Sequence, residues 1–320
     1  MLGVIRLDFD PLLHLQGWLT LDVAWATLAL AGTVFLAILL TARFARRSGR
    51  ATGLARLRLD DLLFLTIGAV PGAVIGARLV YALDYWPYYA DHPLAIVDPA
   101  QGGLSLLGAV LGGTLTAGYI AQVLEGSGRR WLDMGSVALL LAIGLGKLSM
   151  ILAGAGQGQF WAGSWAVAFD GSWPWLSPAP AIPAHPTQAY EGLWALLGIL
   201  IVLACHAGPV LRALPTGWRQ ERTWADNRQA LGQEVARGRL RFGYAYALAV
   251  AWWLAGRVAI ASLWRDEPVL GPLNSEQVLG LAVLALILLG ALVSLVHQPR
   301  PIEPEERWRV GHRRWRLRGG

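Results

Sequence analysis

Apolar residues along this chain come in long runs separated by short polar loops. A run of about 20 is what an α-helix needs to cross the hydrocarbon core of a bilayer. Seven such runs can be marked, at about 18–42, 61–86, 103–123, 133–155, 188–206, 241–263 and 275–297. The pattern predicts an all-α, polytopic membrane protein. It forms a single transmembrane domain over 1–298, with a basic loop at about 207–240 and a basic tail at 299–320. Glycine recurs at four-residue spacing as Gly68, Gly72 and Gly76 in the second run and as Gly108 and Gly112 in the third. Small faces of this kind let helices approach closely in lipid. Pro71 is expected to bend the second helix.

The loops sort by charge. Arg43, Arg46, Arg47, Arg50, Arg56 and Arg58 fall in the first, Arg129 and Arg130 in the third, Arg212 to Arg239 in the fifth, and Arg300 to Arg318 in the tail. The second loop (87–102) and the fourth (156–187) hold no Lys or Arg, and the sixth holds only Arg265. Positively charged loops stay on the cytoplasmic side. The alternation therefore places the N-terminus outside and the C-terminus in the cytoplasm. The polar segment 216–240 either lies along the headgroups with Trp218 and Trp224 inserted or is a solvated loop.

Composition agrees with this picture: 55% hydrophobic residues, 15% charged and a mean hydropathy of +0.45 are too apolar for a soluble domain. The net charge of +6 lies in the loops, where it meets anionic lipid and not nucleic acid. Cys205 is the single cysteine, so no disulfide framework and no thiolate metal site is expected, and no cofactor is indicated. The first 15 residues lack a basic region followed by a cleavage site, so no removable signal peptide is expected.

Setting aside those within one residue of a run's end, six charged residues fall inside the runs: Asp22, Arg78, Asp84, Lys147, Glu191 and Arg257. With the orientation above, all belong to the outer half of the bilayer, with His185 and Arg265 just above them. Charges at that depth are costly and need partners or a use. One reading pairs Arg78 with Asp84, and Lys147 or Arg257 with Glu191, to hold helices together. The other gathers three cations against two carboxylates into an anion site open to the outer leaflet, where the natural anion is a phospholipid phosphate. The polar stretch Ala184–Gly192, with His185 and Glu191, sits at the mouth of the fifth run.

Several motifs together resemble those of the prolipoprotein diacylglyceryl transferases, and the likeness runs from about Asp60 to the last run. Gly76-Ala77-Arg78-Leu79, Tyr88-Tyr89 with His92-Pro93-Leu94, Gly102-Gly103-Leu104-Ser105, His185-Pro186-Thr187-Gln188-Ala189-Tyr190-Glu191 and Asn274-Ser275-Glu276-Gln277 carry it. The resemblance implies transfer of a diacylglyceryl group from phosphatidylglycerol to the lipobox cysteine of a preprolipoprotein signal peptide at the outer membrane face. It implies Arg78, Lys147 and Arg257 as phosphate ligands, Ser105 and Tyr190 as lipid-site residues, and His185 or Glu191 as the acceptor of the thiol proton. The chain departs from the family pattern at Gln16-Gly17-Trp18, Leu107, Lys147, Met150, Ala155 and Ala261, which stand where the family has a Tyr-containing motif, His, Arg, Asn, Glu and Glu. A family member that binds lipid or lipoprotein without transfer is the alternative those departures leave open. A transporter or channel would need polar residues through the full depth, which the apolar inner halves do not supply.

Overall fold

The structure, a computed structural model, describes residues 3–16, 20–52, 59–98, 103–125, 128–213 and 243–296. Gly17, Trp18, Gly102, the segment 216–240 and the tail 299–320 lie outside the described residues. Eight α-helices are present among them: α1 (Trp25–Thr52), α2 (Leu59–Asp84), α3 (Trp86–Asp91), α4 (Leu106–Glu125), α5 (Gly128–Ser149), α6 (Thr187–Ala213), α7 (Tyr244–Ala261) and α8 (Ser275–Val296). All but α3 are long and apolar enough to cross a membrane, so the chain is a seven-span, all-α membrane protein.

Short strands gather at one end of the bundle, here called the head. β1 (Ile5–Leu7) pairs in parallel with β4 (Val167–Phe169), tying the N-terminal segment to the long connection between α5 and α6. β2 (Leu12–Leu15) and β3 (Leu21–Ala24) form an antiparallel hairpin, and β5 (Pro268–Leu270) pairs with β6 (Leu273–Asn274) between α7 and α8. The hairpin corrects one expectation. Residues 21–24 extend the apolar run toward the N-terminus, but they are strand, so the first span begins at Trp25. Asp22 consequently lies before the first helix, where its carboxylate meets His14 Nδ1 at 2.6 Å, while Asp10 meets Nε2 at 2.9 Å.

Close packing follows the glycines. On α2, Gly76 lies so near α4 that a Cβ there would stand 2.4 Å from the Gly108 carbonyl oxygen. A Cβ on Gly112 would reach 2.1 Å from that of Gly72. The two helices therefore touch backbone to backbone. Pro71 lies inside the continuous α2.

The buried core is built by α4, α5, α6 and α7, with Leu107, Leu140, Ala195, Val202, Trp253 and Leu254 at its centre. A reciprocal clasp joins α6 to α7. The indoles of Trp194 and Trp252 stack at 4.2 Å, and each Nε1–H donates to the other residue's carbonyl, at 2.7 and 2.9 Å. Gly256 and Gly198 leave room for these rings. At the opposite end of the bundle from the head, Asp133 of α5 accepts from the backbone N–H groups of Gly243 (2.6 Å) and Tyr246 (3.1 Å), capping α7. The half of the spans away from the head, expected to be free of charge, thus holds a carboxylate.

Replacing Gly76 by Leu should force α2 from α4 and lower stability by about 1–3 kcal/mol or more. Gly32, whose Cβ would meet nothing within 4 Å, should tolerate Ala; thermal unfolding in detergent compares the two. The hairpin should respond to pH. Hydrogen bonds from both His14 ring nitrogens, to Asp22 and then Asp10, raise the imidazole's pKa, so its contribution is fully present below the usual histidine value of about 6.5. It is lost as pH rises through the raised value. Hydrogen exchange at residues 12–15 and 21–24, with intrinsic exchange rates corrected for pH, should speed up across that window in the native protein and show no such step in His14→Gln.

Candidate functional site

Three helices meet at one buried carboxylate, and a fourth joins through a second. Glu191, on the second turn of α6, has no exposed surface. Its Oε2 lies 2.9 Å from Lys147 Nζ on α5, and its Oε1 accepts from Arg257 Nη1 on α7 at 2.7 Å. Trp253 Nε1–H approaches the same oxygen at 3.3 Å. Arg257 then turns its Nε and Nη2 to Glu276 on α8, at 3.2 and 2.9 Å. Ser105, just before α4, donates its hydroxyl to Glu276 at 3.1 Å. The order Lys147–Glu191–Arg257–Glu276 alternates sign, so its charges balance.

Local structure explains why these groups converge. Asn274 and Gln277 form a reciprocal cap at the start of α8: Gln277 N–H donates to Asn274 Oδ1 (2.9 Å) and Asn274 N–H to Gln277 Oε1 (3.0 Å). Their side-chain amides also bond the carbonyls of Ala261 and Val258 on α7 at 3.0 Å each. Glu276, between them, is thereby held against Arg257. At the start of α6, Thr187 donates its hydroxyl to the Gly156 carbonyl at 2.7 Å, which pins the helix to a turn where Gly156 has φ +76°. Glu191 follows one turn later.

Beside this network lies a cavity of about 300 Å³, lined by Lys147, Met150, Gly156, Gln157, Thr187, Gln188, Glu191, Arg257, Trp264, Arg265 and Asp266. The Trp264 ring covers the cations, with its centre 4.7 Å from the Arg257 guanidinium carbon and 5.7 Å from Lys147 Nζ. At the rim, burial first, and then the charge of Glu276, push the Asp266 carboxyl above its ordinary pKa, against the pull of Arg257.

The structure brings Lys147, Glu191 and Arg257 together as a wall of this cavity and sets Ser105 behind Glu276. Arg78 is elsewhere. Its guanidinium donates to the carbonyls of Ala95 (2.6 Å), Ile96 (2.7 Å), Asp98 (3.0 Å) and Gly103 (3.0 Å), and it lies over the Tyr89 ring. It organises the connection between α3 and α4 instead of lining the cavity, where the third cation is Arg265. His185 and Tyr190 also stand outside the lining. The imidazole stacks on Trp161 at 4.4 Å, and its Nδ1 lies 3.3 Å from the Tyr190 hydroxyl, which accepts from Trp165 Nε1. Glu276, Gln188, Trp264 and Asp266 were not singled out by the depth of charges along the runs. Glu276 and Gln188 nevertheless lay within quoted motifs, and Asp266 follows the lone arginine of its loop. Among the described residues, no group of three or more His, Cys, Asp or Glu could hold a metal ion.

A family model described as prolipoprotein diacylglyceryl transferase matches residues 14–217. A phosphatidylglycerol–prolipoprotein diacylglyceryl transferase of Symbiobacterium thermophilum is 29% identical over 277 residues, 84% of this chain and 88% of that protein. Proteins of the same name from Bacillus cytotoxicus and Bacillus cereus are 27% and 28% identical over 257 residues, 78% of this chain and 82% of each relative.

Removing the shared carboxylate should be severe. Glu191→Leu strands Lys147 and Arg257 without their common partner and should cost about 3–5 kcal/mol. Adding Lys147→Met should restore part of that loss. A double-mutant cycle read by thermal unfolding would give strictly additive losses if the pair were uncoupled.

Proposed function

This chain belongs to the prolipoprotein diacylglyceryl transferase family, and from that premise we propose that it moves a diacylglyceryl group from phosphatidylglycerol to the cysteine thiol of a prolipoprotein. The head faces the outside of the bacterial cytoplasmic membrane, and the arginine-rich loops face the cytoplasm. Phosphatidylglycerol enters sideways from the outer leaflet, and the signal peptide of the prolipoprotein brings its cysteine to the head. The observation that carries this reading is a cavity at the head end of the spans walled by Lys147, Arg257 and Arg265, three cations in a setting that suits a lipid phosphate.

In the reaction the thiolate sulfur bonds the glyceryl carbon that carries the phosphate. The carbon–oxygen bond to that phosphate breaks, and glycerol phosphate leaves with the bonding electrons. The cationic wall acts where negative charge grows, on the departing phosphate oxygen. Lys147 and Arg257 are held there by Glu191 and Glu276, so they need no rearrangement as the charge develops.

A thiol is only a few per cent ionised near neutral pH and needs a proton acceptor. Both Glu191 oxygens are engaged by Lys147, Arg257 and Trp253, and His185 stands outside the cavity lining. Asp266 is at the rim, and its raised pKa makes it a better base than an ordinary aspartate. We assign it the thiol proton.

Purified protein incubated with labelled phosphatidylglycerol and a lipobox cysteine peptide should form the labelled thioether. Lys147→Ala or Arg257→Ala should lower the rate by about 10²-fold or more. Lipid binding without any thioether would sink the transferase reading. Activity should fall as pH drops through a value above the usual aspartate pKa of about 3.9, because protonated Asp266 cannot take the thiol proton. Asp266→Asn should remove that limb, and a limb left in place would return the role to another group.

A further inference from the structure

We infer that the Gln188 side-chain amide and the Arg265 Nη2 group form a headgroup subsite, which selects lipids whose phosphate bears an uncharged, hydroxylated alcohol. The inference rests on the lipid-transfer reading above and deepens it, because it concerns which headgroup the cavity accepts. Gln188 is 2% exposed and lines the cavity, yet neither its Nε2 nor its Oε1 has a hydrogen-bond partner among the described residues. Neighbouring amides differ. Gln157 donates to the Val167 carbonyl at 2.9 Å and accepts from Ser177 at 2.5 Å, while Gln277 is committed to Asn274 and Val258.

Buried polar side chains in native proteins are almost always bonded, so an amide with both ends idle on a cavity wall is a site waiting for a ligand. Its position is fixed. Thr187 ties the preceding residue to Gly156, whose backbone lies against the Gln188 side chain: a Cβ there would be 3.3 Å from Gln188 Cβ and 3.8 Å from Oε1.

Arg265 supplies the second half. Its Nε donates to the Gly158 carbonyl at 2.6 Å, and its guanidinium lies 4.4 Å from the centre of the Phe160 ring. Its Nη2 is buried and has no hydrogen-bond partner among the described residues. Lys147 and Arg257 are already ion-paired. Besides the ion-paired groups, the buried polar atoms of the wall that have no partner among the described residues belong to one guanidinium edge and one neutral amide.

These two groups ask for different things. The guanidinium edge suits a phosphate oxygen. The amide offers two N–H donors and one carbonyl acceptor, and a hydroxyl, which both donates and accepts, can satisfy it. A trimethylammonium group can do neither, and a primary ammonium can only donate, leaving Nε2 unmet. Sites built to bond a hydroxyl reject analogues that lack one, because the buried partner is then left unsatisfied.

The test compares phosphatidylglycerol with phosphatidylmethanol, which has the same phosphate and charge but no headgroup hydroxyl. Native mass spectrometry of the full-length protein, offered both lipids in equal amount, reads the binding ratio, and transfer to a lipobox cysteine peptide is measured with each lipid alone. The wild type should favour phosphatidylglycerol by about tenfold or more in binding. Gln188→Met, similar in length but without the amide, should bring the ratio toward one. Gln188→Asn should fall between and serves if the Met variant does not fold. Arg265→Gln should weaken both lipids and keep the ratio. A wild-type ratio near one, or an unchanged ratio in Gln188→Met, overturns the subsite. Wild type that binds selectively but forms no thioether overturns the transfer reading and leaves the subsite standing. Equal binding and equal transfer with both lipids does the reverse.

Discussion

The arrangement of this molecule turns on a carboxylate with no exposed surface held between two cations. Taking Glu191, Lys147 and Arg257 out of water costs several kcal/mol per ion, and only close, well-aligned partners offset that. The distances of 2.7 and 2.9 Å meet the condition, but only at one relative position of α5, α6 and α7. Glu276 and Ser105 extend the requirement to α8 and the start of α4. The Trp194–Trp252 clasp and the Asp133 cap fix some of the same helices at other depths. Three independent registers agree, so the cavity wall is rigid before any lipid arrives. That rigidity lets its charges act on a reaction without reorganising.

Hydropathy identifies the spans because crossing lipid is a matter of length and apolarity, and four-residue glycine spacing identifies the α2–α4 contact because only a missing Cβ permits it. The limits are physical as well. An apolar strand and the first turn of a helix read alike in a hydropathy window, which is how Asp22 came to be placed inside the first span. Depth along a helix is legible, but the direction around it is not. Arg78, Lys147 and Arg257 can therefore share a level while Arg78 turns to the carbonyls of its own following loop. A residue at the edge of a span counts as loop by depth, so Glu276 was quoted within a motif and not counted among the buried charges. Asp133, at the opposite end of α5's span, escaped for the same reason.

Three of the replaced family positions find physical explanations in the structure. Leu107 is 1% exposed within the apolar core, a setting that suits leucine and would penalise a charged histidine. Ala261 is also buried, and its carbonyl receives Asn274 from α8. The carboxylate that the family pattern places four residues after Arg257 is missing there, but Glu276 meets the same guanidinium from the neighbouring helix. Lys147 keeps the charge of the arginine it replaces and gives up the two-pronged geometry. A single ammonium suffices for one oxygen of Glu191, since Arg257 takes the other.

That division of labour has a chemical consequence. Because Lys147 and Arg257 are neutralised by Glu191 and Glu276, they contribute field and shape more than open hydrogen-bond valence. Under the subsite proposed above, a ligand finds direct contacts among the groups left over, which include the Gln188 amide and the Arg265 edge. Proton transfer faces the same constraint. A carboxylate held by two cations and an indole is a poor base however close it lies, whereas a rim carboxylate whose pKa is raised by burial and a like charge can accept a proton and pass it to water. The ion pairs that fix the fold thus leave binding to the unpaired donors and proton transfer to the rim.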